Sequence, residues 1–230
     1  MQNEQNETIK KNDFIEISYI ARVQDTGIVF DLTDEEPAKL HGLYEKGRQY
    51  KPIIICLGKN DILKGLDEAL EGKEPGKSYT ITLPPEQAFG KKEAAMVKLV
   101  PTSLFRQKNI QPAPGLQINL DNLIGTIKSV SGGRTIVDFN HPLAGKTILY
   151  EIHIRRIIHS PKEKLEGLLG NLLSKFEVSI EAEKATILSN LKDPKLEKEL
   201  EKEVLSRIPE IKHLEFKLLP KELASPQKEP

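Results

Sequence analysis

Between residues 52 and 72, PIIICLGKNDILKGLDEALEG, the hydrophobic pattern changes period. PIIICLG is a short apolar run that reads as a buried strand, whereas Ile62, Leu63, Leu66, Ala69 and Leu70 recur at the spacing of one helix face. The spacing predicts a helix over 61–71, with Asn60 or Asp61 as its N-cap and Gly72 ending it. The apolar face of so short a helix is either core alone or also the floor of a site.

The flanking segments alternate with period two. Upstream, Ile15, Ile17, Tyr19, Ala21 and Val23 share one face of a half-buried strand, QDTG is a turn, and IVFD resumes an extended run. Residues 34–51, with Pro37, Gly42 and Gly47, read as a solvated connection. Downstream, Tyr79, Ile81 and Leu83 alternate in KSYTITLP, and Ile148, Tyr150, Ile152 and Ile154 do so in KTILYEIHIRRI, two strands of one antiparallel sheet. Between them lie MVKLVP, the helical turn SLFRQKN, LQINL, LIGTIKSV and RTIVDF, a β-rich insert near the practical minimum for an independent core, about 40 residues.

After residue 159 the character changes again. Ser160-Pro161-Lys162-Glu163 is a capping box, followed by a stripe of Leu165, Leu168, Leu169, Leu172 and Leu173. FEVSIE and KATILSN form a hairpin, Asp193-Pro194 opens a second helix, and IKHLEFKLL closes as a strand, making a separate α+β unit. The polar start, MQNEQNETIKKND, reads as frayed. The expected division is a discontinuous domain of 1–92 and 141–158, an insert of 93–140, a C-terminal domain of 160–222, and a disordered tail of 223–230.

Composition narrows the chemistry. The 34 basic and 34 acidic residues cancel, and no basic stripe is interleaved with aromatics, so neither nucleic acid nor a membrane surface is expected as a partner. Cys56, the single cysteine, sits inside PIIICL, which excludes an internal disulfide and points to a packed core thiol. The first residues hold no apolar signal, and no apolar run is long enough to span a bilayer, so a soluble cytoplasmic protein is expected. The five histidines show no ligand spacing, so no metal is expected. No nucleophile elbow, Walker loop or dinucleotide fingerprint occurs, and no cofactor is expected. An apolar binding site is what remains.

ISYIARVQDTGIVFD (17–31), PIIICLGKNDILKGLDEALEGKEPGKSYTITLPPEQAFG (52–90) and HPLAGKTILYEIHI (141–154) closely resemble FKBP-type peptidyl-prolyl isomerases, specifically the SlyD-like branch with its archaeal long forms. The resemblance covers about 12–157, and its motifs arrive in order around an insert in the right place. It implies an α+β fold: an antiparallel half-barrel wrapped on a short helix, a small β-rich insert-in-flap domain and a C-terminal α+β domain. It places Tyr19, Phe30, Asp31, Ile53, Ile62, Leu63, Leu66, Phe89 and Tyr150 around a proline-accepting cleft, with the Leu63 N–H as donor to the substrate carbonyl. Leu66 stands where single-domain members carry a floor tryptophan. Phe89 replaces a tyrosine whose hydroxyl bonds the ligand, which keeps an apolar wall and loses a donor.

Such walls suit the reaction. Rotation about a peptide bond meets a barrier of about 18–20 kcal/mol, and the twisted amide has lost the resonance that made the planar form polar. A dry pocket favours the twisted state and needs no proton transfer. Asp31 can orient the pocket or polarise the amide; its competing role is pairing with an arginine or a turn amide. Tyr19, Phe30 and Tyr150 would equally serve as core in any β-protein. The insert's Met96, Val97, Leu99, Leu104, Phe105 and Leu123 are expected to hold unfolded chains, or else to close the insert's own core. The expected partners are proline-containing unfolded or partly folded polypeptides, with a homodimer through the C-terminal leucines. The alternative reading is a non-catalytic chaperone or assembly module retaining the fold.

Overall fold

The alternating and helical patterns become, in chain order, β1 (Phe14–Val23), β2 (Val29–Leu32), α1 (Glu35–Leu40), β3 (Ile53–Cys56), α2 (Lys64–Leu70) and β4 (Ser78–Leu83). There follow β5 (Val97–Pro101), α3 (Thr102–Gln107), β6 (Gln117–Leu120), β7 (Leu123–Ser131), β8 (Arg134–Asp138) and β9 (Ile148–Ile158). The C-terminal elements are α4 (Pro161–Gly170), β10 (Phe176–Glu181), β11 (Lys184–Ser189), α5 (Pro194–Arg207) and β12 (His213–Leu218). The computed structural model describes residues 7–120 and 123–219. The tail expected to be disordered, 223–230, lies outside the described residues. The described chain divides into one unit of 7–22, 29–81 and 149–219 and another of 23–28 and 82–148.

The host sheet has the order β2-β1-β9-β4, with β3 also on β1. Residues 14–17 of β1 pair antiparallel with β3 and residues 20–22 with β2, so one long strand carries two short partners in succession. Ile15, Ile17, Ile55, Ile152 and Ile154 are sealed, as are Leu66 and Leu70 of α2. Fully burying each such side chain stabilises the fold by about 1.5–3 kcal/mol.

Three expectations need correction here. Helix α2 begins at Lys64, not at 61, because Asn60 takes a left-handed φ of +60° and the Asp61 carboxylate accepts from the Cys56 N–H, which leaves Leu63 as the N-cap. Residues 34–51 are not only a solvated spacer, since α1 buries Ala38 against Val29 and Leu32, with Ile20, Leu43 and Tyr50 around them. The polar start is pinned from residue 9, where Ile9 is buried, donates to Lys73 O and accepts from Gly72 N–H.

In the second unit, β5-β8-β7-β6 form a four-stranded sheet with every neighbouring pair antiparallel. Its core is Phe105, Ile118, Ile127, Val137 and Phe139, with Met96, Val100, Ile110 and Leu120 packed around it. Gly125 is required here, because a Cβ would stand 2.6 Å from Val137 and 2.7 Å from Phe139.

The C-terminal segment has its own sheet, β10-β11-β12, in which β10 and β11 form the antiparallel hairpin and β12 returns parallel to β11 after α5. Its core is nevertheless continuous with the host: Phe14, Cys56 and Ile158 cluster with Leu165, Leu168, Leu169, Val178, Ile187, Val204 and Ile208. Helix α4 lies so close to β3 that a Cβ on Gly167 would come within 2.5 Å of Ile54 Cβ. Ser160 Oγ caps α4 by accepting from the Glu163 N–H. Only that half of the capping box forms, because the Glu163 carboxylate is taken by Arg156 at 2.6 Å. Among the described residues, no helix is long and apolar enough to cross a membrane.

Candidate functional site

The site builds outward from Asp31. Alternation on β2 and the ladder pairing of Ala21 with Asp31 set that carboxylate beside Tyr19 of β1, whose hydroxyl donates to Oδ2 at 2.6 Å. Its other oxygen accepts from Arg48 Nη2 at 3.0 Å and from the Leu32 N–H at 2.9 Å. The Tyr150 ring, on β9, meets the Tyr19 ring edge-on at 5.6 Å between centroids. Asp31 thus has the arginine and main-chain amide of its competing role, and it accepts from a phenol as well.

This arrangement fixes protonation. Burial first, then the hydrogen bond to Asp31 and its negative charge, push the Tyr19 phenol well above its ordinary range. Burial and the same charge push Tyr150 up to about 12. Hydrogen bonding to Asp31 raises Arg48 further. At neutral pH both phenols are neutral, and Arg48 pairs with Asp31 at 3.0 Å. The Tyr19 hydroxyl is committed to Asp31, whereas among the described residues nothing bonds the Tyr150 hydroxyl.

Arg48 lies in the connection 34–51, where no periodicity marks an inward-turned side chain. A signal was present: an arginine and an aromatic, Arg48 and Tyr50, follow Gly47 within three positions. In the structure the guanidinium lies 5.2 Å from the Tyr50 ring centroid, and Tyr50 bonds Leu43 O and the Glu45 N–H, which fastens the loop that delivers Arg48.

Of the other expected cleft residues, Leu66 is 1% exposed on α2, and Ile53 pairs with Ile17 in the ladder. Phe30, Ile62 and Leu63 are half-buried. Leu63 has φ −54° and ψ 134°, so its N–H precedes the helix, and its carbonyl accepts from Leu66 and Asp67. Nothing among the described residues accepts the Leu63 N–H. The loop before it is held by Asp67, both of whose oxygens accept from Gly58 N–H at 2.9 Å. Phe89 belongs to the second unit, where its ring stacks parallel on His141 at 4.7 Å.

In the insert, Leu99, Leu104, Leu123 and Val97 are exposed, at 56%, 44%, 47% and 42%. Leu99, Val100, Pro101, Leu104, Leu120, Leu123 and Phe139 line a groove of about 450 Å³ with Lys98 and Lys108 at its edge. One expected client-binding residue is corrected, and a second, Met96, is half-buried. Phe105 is 1% exposed at the centre of the core, and Met96 packs against that core, because a five-residue core this small consumes its aromatic and flexible members. No cluster of metal-ligating side chains occurs among the described residues.

Residues 5–105 match the model of the FKBP-type peptidyl-prolyl cis-trans isomerase family, and residues 98–143 match that of the FKBP26 IF domain. The short-type peptidyl-prolyl cis-trans isomerase of Methanocaldococcus jannaschii is 33% identical over 149 residues, 65% of this chain and 94% of the relative. The FKBP-type isomerase SlyD of Haemophilus influenzae is 31% identical over 150 residues, 64% of this chain and 70% of the relative. The chain belongs to the FKBP-type peptidyl-prolyl cis-trans isomerases. Within them it falls in the SlyD-like branch, and SlyD of Treponema pallidum is 30% identical over 159 residues, 67% of this chain and 81% of the relative. A structure of the three FKBP domains of wheat FKBP73 aligns with a TM-score of 0.35 and 17% identity, over 70% of this isomerase and 44% of the wheat chain. The assignment rests on the family model and the sequence relatives, not on that superposition.

Proposed function

We propose that this prolyl isomerase acts on unfolded and partly folded polypeptides, turning X-Pro bonds over at the Tyr19–Asp31–Tyr150 cluster and holding clients on the insert. The observation that supports the catalytic half is the closed polar accounting around Asp31: its contacts are satisfied by Tyr19, Arg48 and Leu32, so it contributes orientation rather than proton transfer. The amide oxygen of a bound X-Pro peptide accepts from the Leu63 N–H, and Leu66, Ile53 and the aromatic rings exclude water. In that setting the planar, polar amide loses more solvation than the twisted one, and the barrier of about 18–20 kcal/mol falls.

The holdase half rests on the groove in the insert. Its exposed leucines exceed what a small β-sheet needs for its own core, and its two lysines favour acidic or neutral segments over basic ones. A tethered groove raises the local concentration of the client's prolines at the cleft. Leu172, Leu196 and Leu218, at 62%, 39% and 59% exposure, make the C-terminal segment the part suited to a second copy, and light scattering reads that state directly. The lone buried thiol, its pKa pushed up to about 11 by burial, suits the reducing cytoplasm.

Refolding of a protein limited by X-Pro isomerisation tests the reading. Catalytic amounts should accelerate the slow phase. Suppressed aggregation with an unchanged slow phase would leave only a non-catalytic chaperone.

A further inference from the structure

Arg207 ends α5, the last helix of the C-terminal segment, yet its guanidinium is spent on the host. Nη1 bonds Asp61 Oδ1 at 2.6 Å, across 146 positions of sequence, and the two side chains are only 11% and 17% exposed. The other carboxylate oxygen of Asp61, Oδ2, accepts from the Cys56 N–H at 2.8 Å on β3. Asp61 therefore joins three elements: the strand before the loop, the loop itself, and the C-terminal helix. Nε of Arg207 is held at 2.8 Å by Glu203 one turn back, so the guanidinium fork is fixed before it reaches Asp61.

What Asp61 steers is the turn at 61–63. Asn60 at φ +60° reverses the chain, Asp61 follows, and Leu63 then presents an N–H that no described residue accepts. On its far side the loop is tied by Asp67 to Gly58, so Asp61 is its second anchor. An arginine bonding one oxygen while a main-chain amide bonds the other leaves the carboxylate no rotational freedom, and with it little freedom for the peptide planes on either side.

We infer that Arg207 is a positioning residue for prolyl isomerisation: through Asp61 the C-terminal segment sets the turn that aims the Leu63 N–H at the substrate carbonyl. This rests on the reading of Leu63 as the substrate donor. The N–H bonds the carbonyl in the planar and the twisted state alike. Loosening it removes uniform binding, which raises KM and leaves kcat nearly unchanged.

The test compares the full-length wild type with Arg207→Met, Arg207→Lys, Asp61→Asn and the double variant Asp61→Asn/Arg207→Met. A short proline peptide is the substrate, at a temperature where circular dichroism shows every variant folded. Glu203→Gln removes the charge that steadies Nε while keeping an acceptor, and should raise KM by less than Arg207→Met; a rise as large as that of Arg207→Met would place the effect at Glu203 and overturn the role of the Asp61 contact. Arg207→Met should raise KM about tenfold with kcat within a factor of about two, Arg207→Lys should recover part of the loss, and the double variant should be no worse than either single one. Hydrogen exchange supplies a readout independent of turnover: the Cys56 N–H should exchange faster in Arg207→Met than in wild type. A fall in melting temperature with unchanged KM and unchanged Cys56 exchange would overturn the inference and leave Arg207 a packing residue. A wild type that fails to isomerise the peptide would instead sink the functional reading, while the exchange result still decides whether Arg207 holds the turn.

Discussion

The insert and the C-terminal segment are both additions to one small sheet-and-helix host, and they treat apolar side chains in opposite ways. The C-terminal segment merges its core with the host, so that Phe14 and Cys56 pack with Leu165, Leu169 and Ile208, and Gly167 lets α4 press against Ile54. The insert seals five side chains of its own and leaves Val97, Leu99, Leu104, Leu116, Leu123 and Ile124 in solvent. Soluble domains rarely leave contiguous apolar surface uncovered without a use for it. The C-terminal segment therefore extends the host's core, with Leu172 and Leu218 left outside it, whereas the insert's exposed leucines line a groove of their own.

The sharpest way to break that contrast is a truncation in each core. Phe14→Ala and Phe105→Ala should each cost about 3–5 kcal/mol, because both rings are sealed and cavities collapse only in part. Phe14→Ala should lower the protection of β11 and α5 together with the host strands. Phe105→Ala should lower it only within 97–138, and loss spread evenly over the chain in both variants would erase the distinction.

A smaller effect is expected where the segment meets the host. Gly167→Ala forces a methyl group to within 2.5 Å of Ile54 Cβ, and overpacking of this kind costs about 1–3 kcal/mol. Melting curves should show it as a lower midpoint. An unchanged midpoint would mean that α4 does not press on β3 in solution.

Tyr150→Phe should barely move stability, within about 0.5 kcal/mol, since no described residue bonds the hydroxyl. A fall well beyond that would reveal a partner for the hydroxyl and place the residue in the scaffold. The smallest effect is in pH. With Tyr150 raised to about 12 in the folded state from about 10 in the unfolded chain, its contribution is fully present below pH 10 and is lost as pH rises to 12. Denaturation midpoints should stay level across pH 7–9 in this respect, and kcat should too, because both phenols stay protonated there.

These expectations draw on two kinds of legibility. Strand and helix existence was readable because period-two and helical spacing are imposed by burial on one face, as in FIEISYIARV and PKEKLEGLLG. The N-terminus of α2 was not, since Asp61 is recruited by the Cys56 N–H and by Arg207, a partner in another element altogether. Helix α1 escaped because six residues interrupted by Pro37 carry no periodicity, and its stability comes from Ala38 packing on β2. At the site, Tyr19, Asp31 and Tyr150 were named from motif order, while Arg48 was missed because a loop has no pattern to betray which residue turns inward. Phe105 was misjudged for a related reason: composition shows that a small core is short of partners but not which residues win the places.

The central claim is that the cleft does the isomerisation while the insert captures the chain, and one comparison measures it. The double variant Leu99→Ser/Leu123→Ser, made in the full chain, removes two exposed walls of the groove and should leave the fold intact. Its kcat/KM is to be determined both for a proline-limited refolding protein and for a short proline peptide. The account predicts a loss of about 10²-fold or more for the protein through lost effective concentration, with the peptide value unchanged. Equal activity on both substrates in wild type and variant would contradict it.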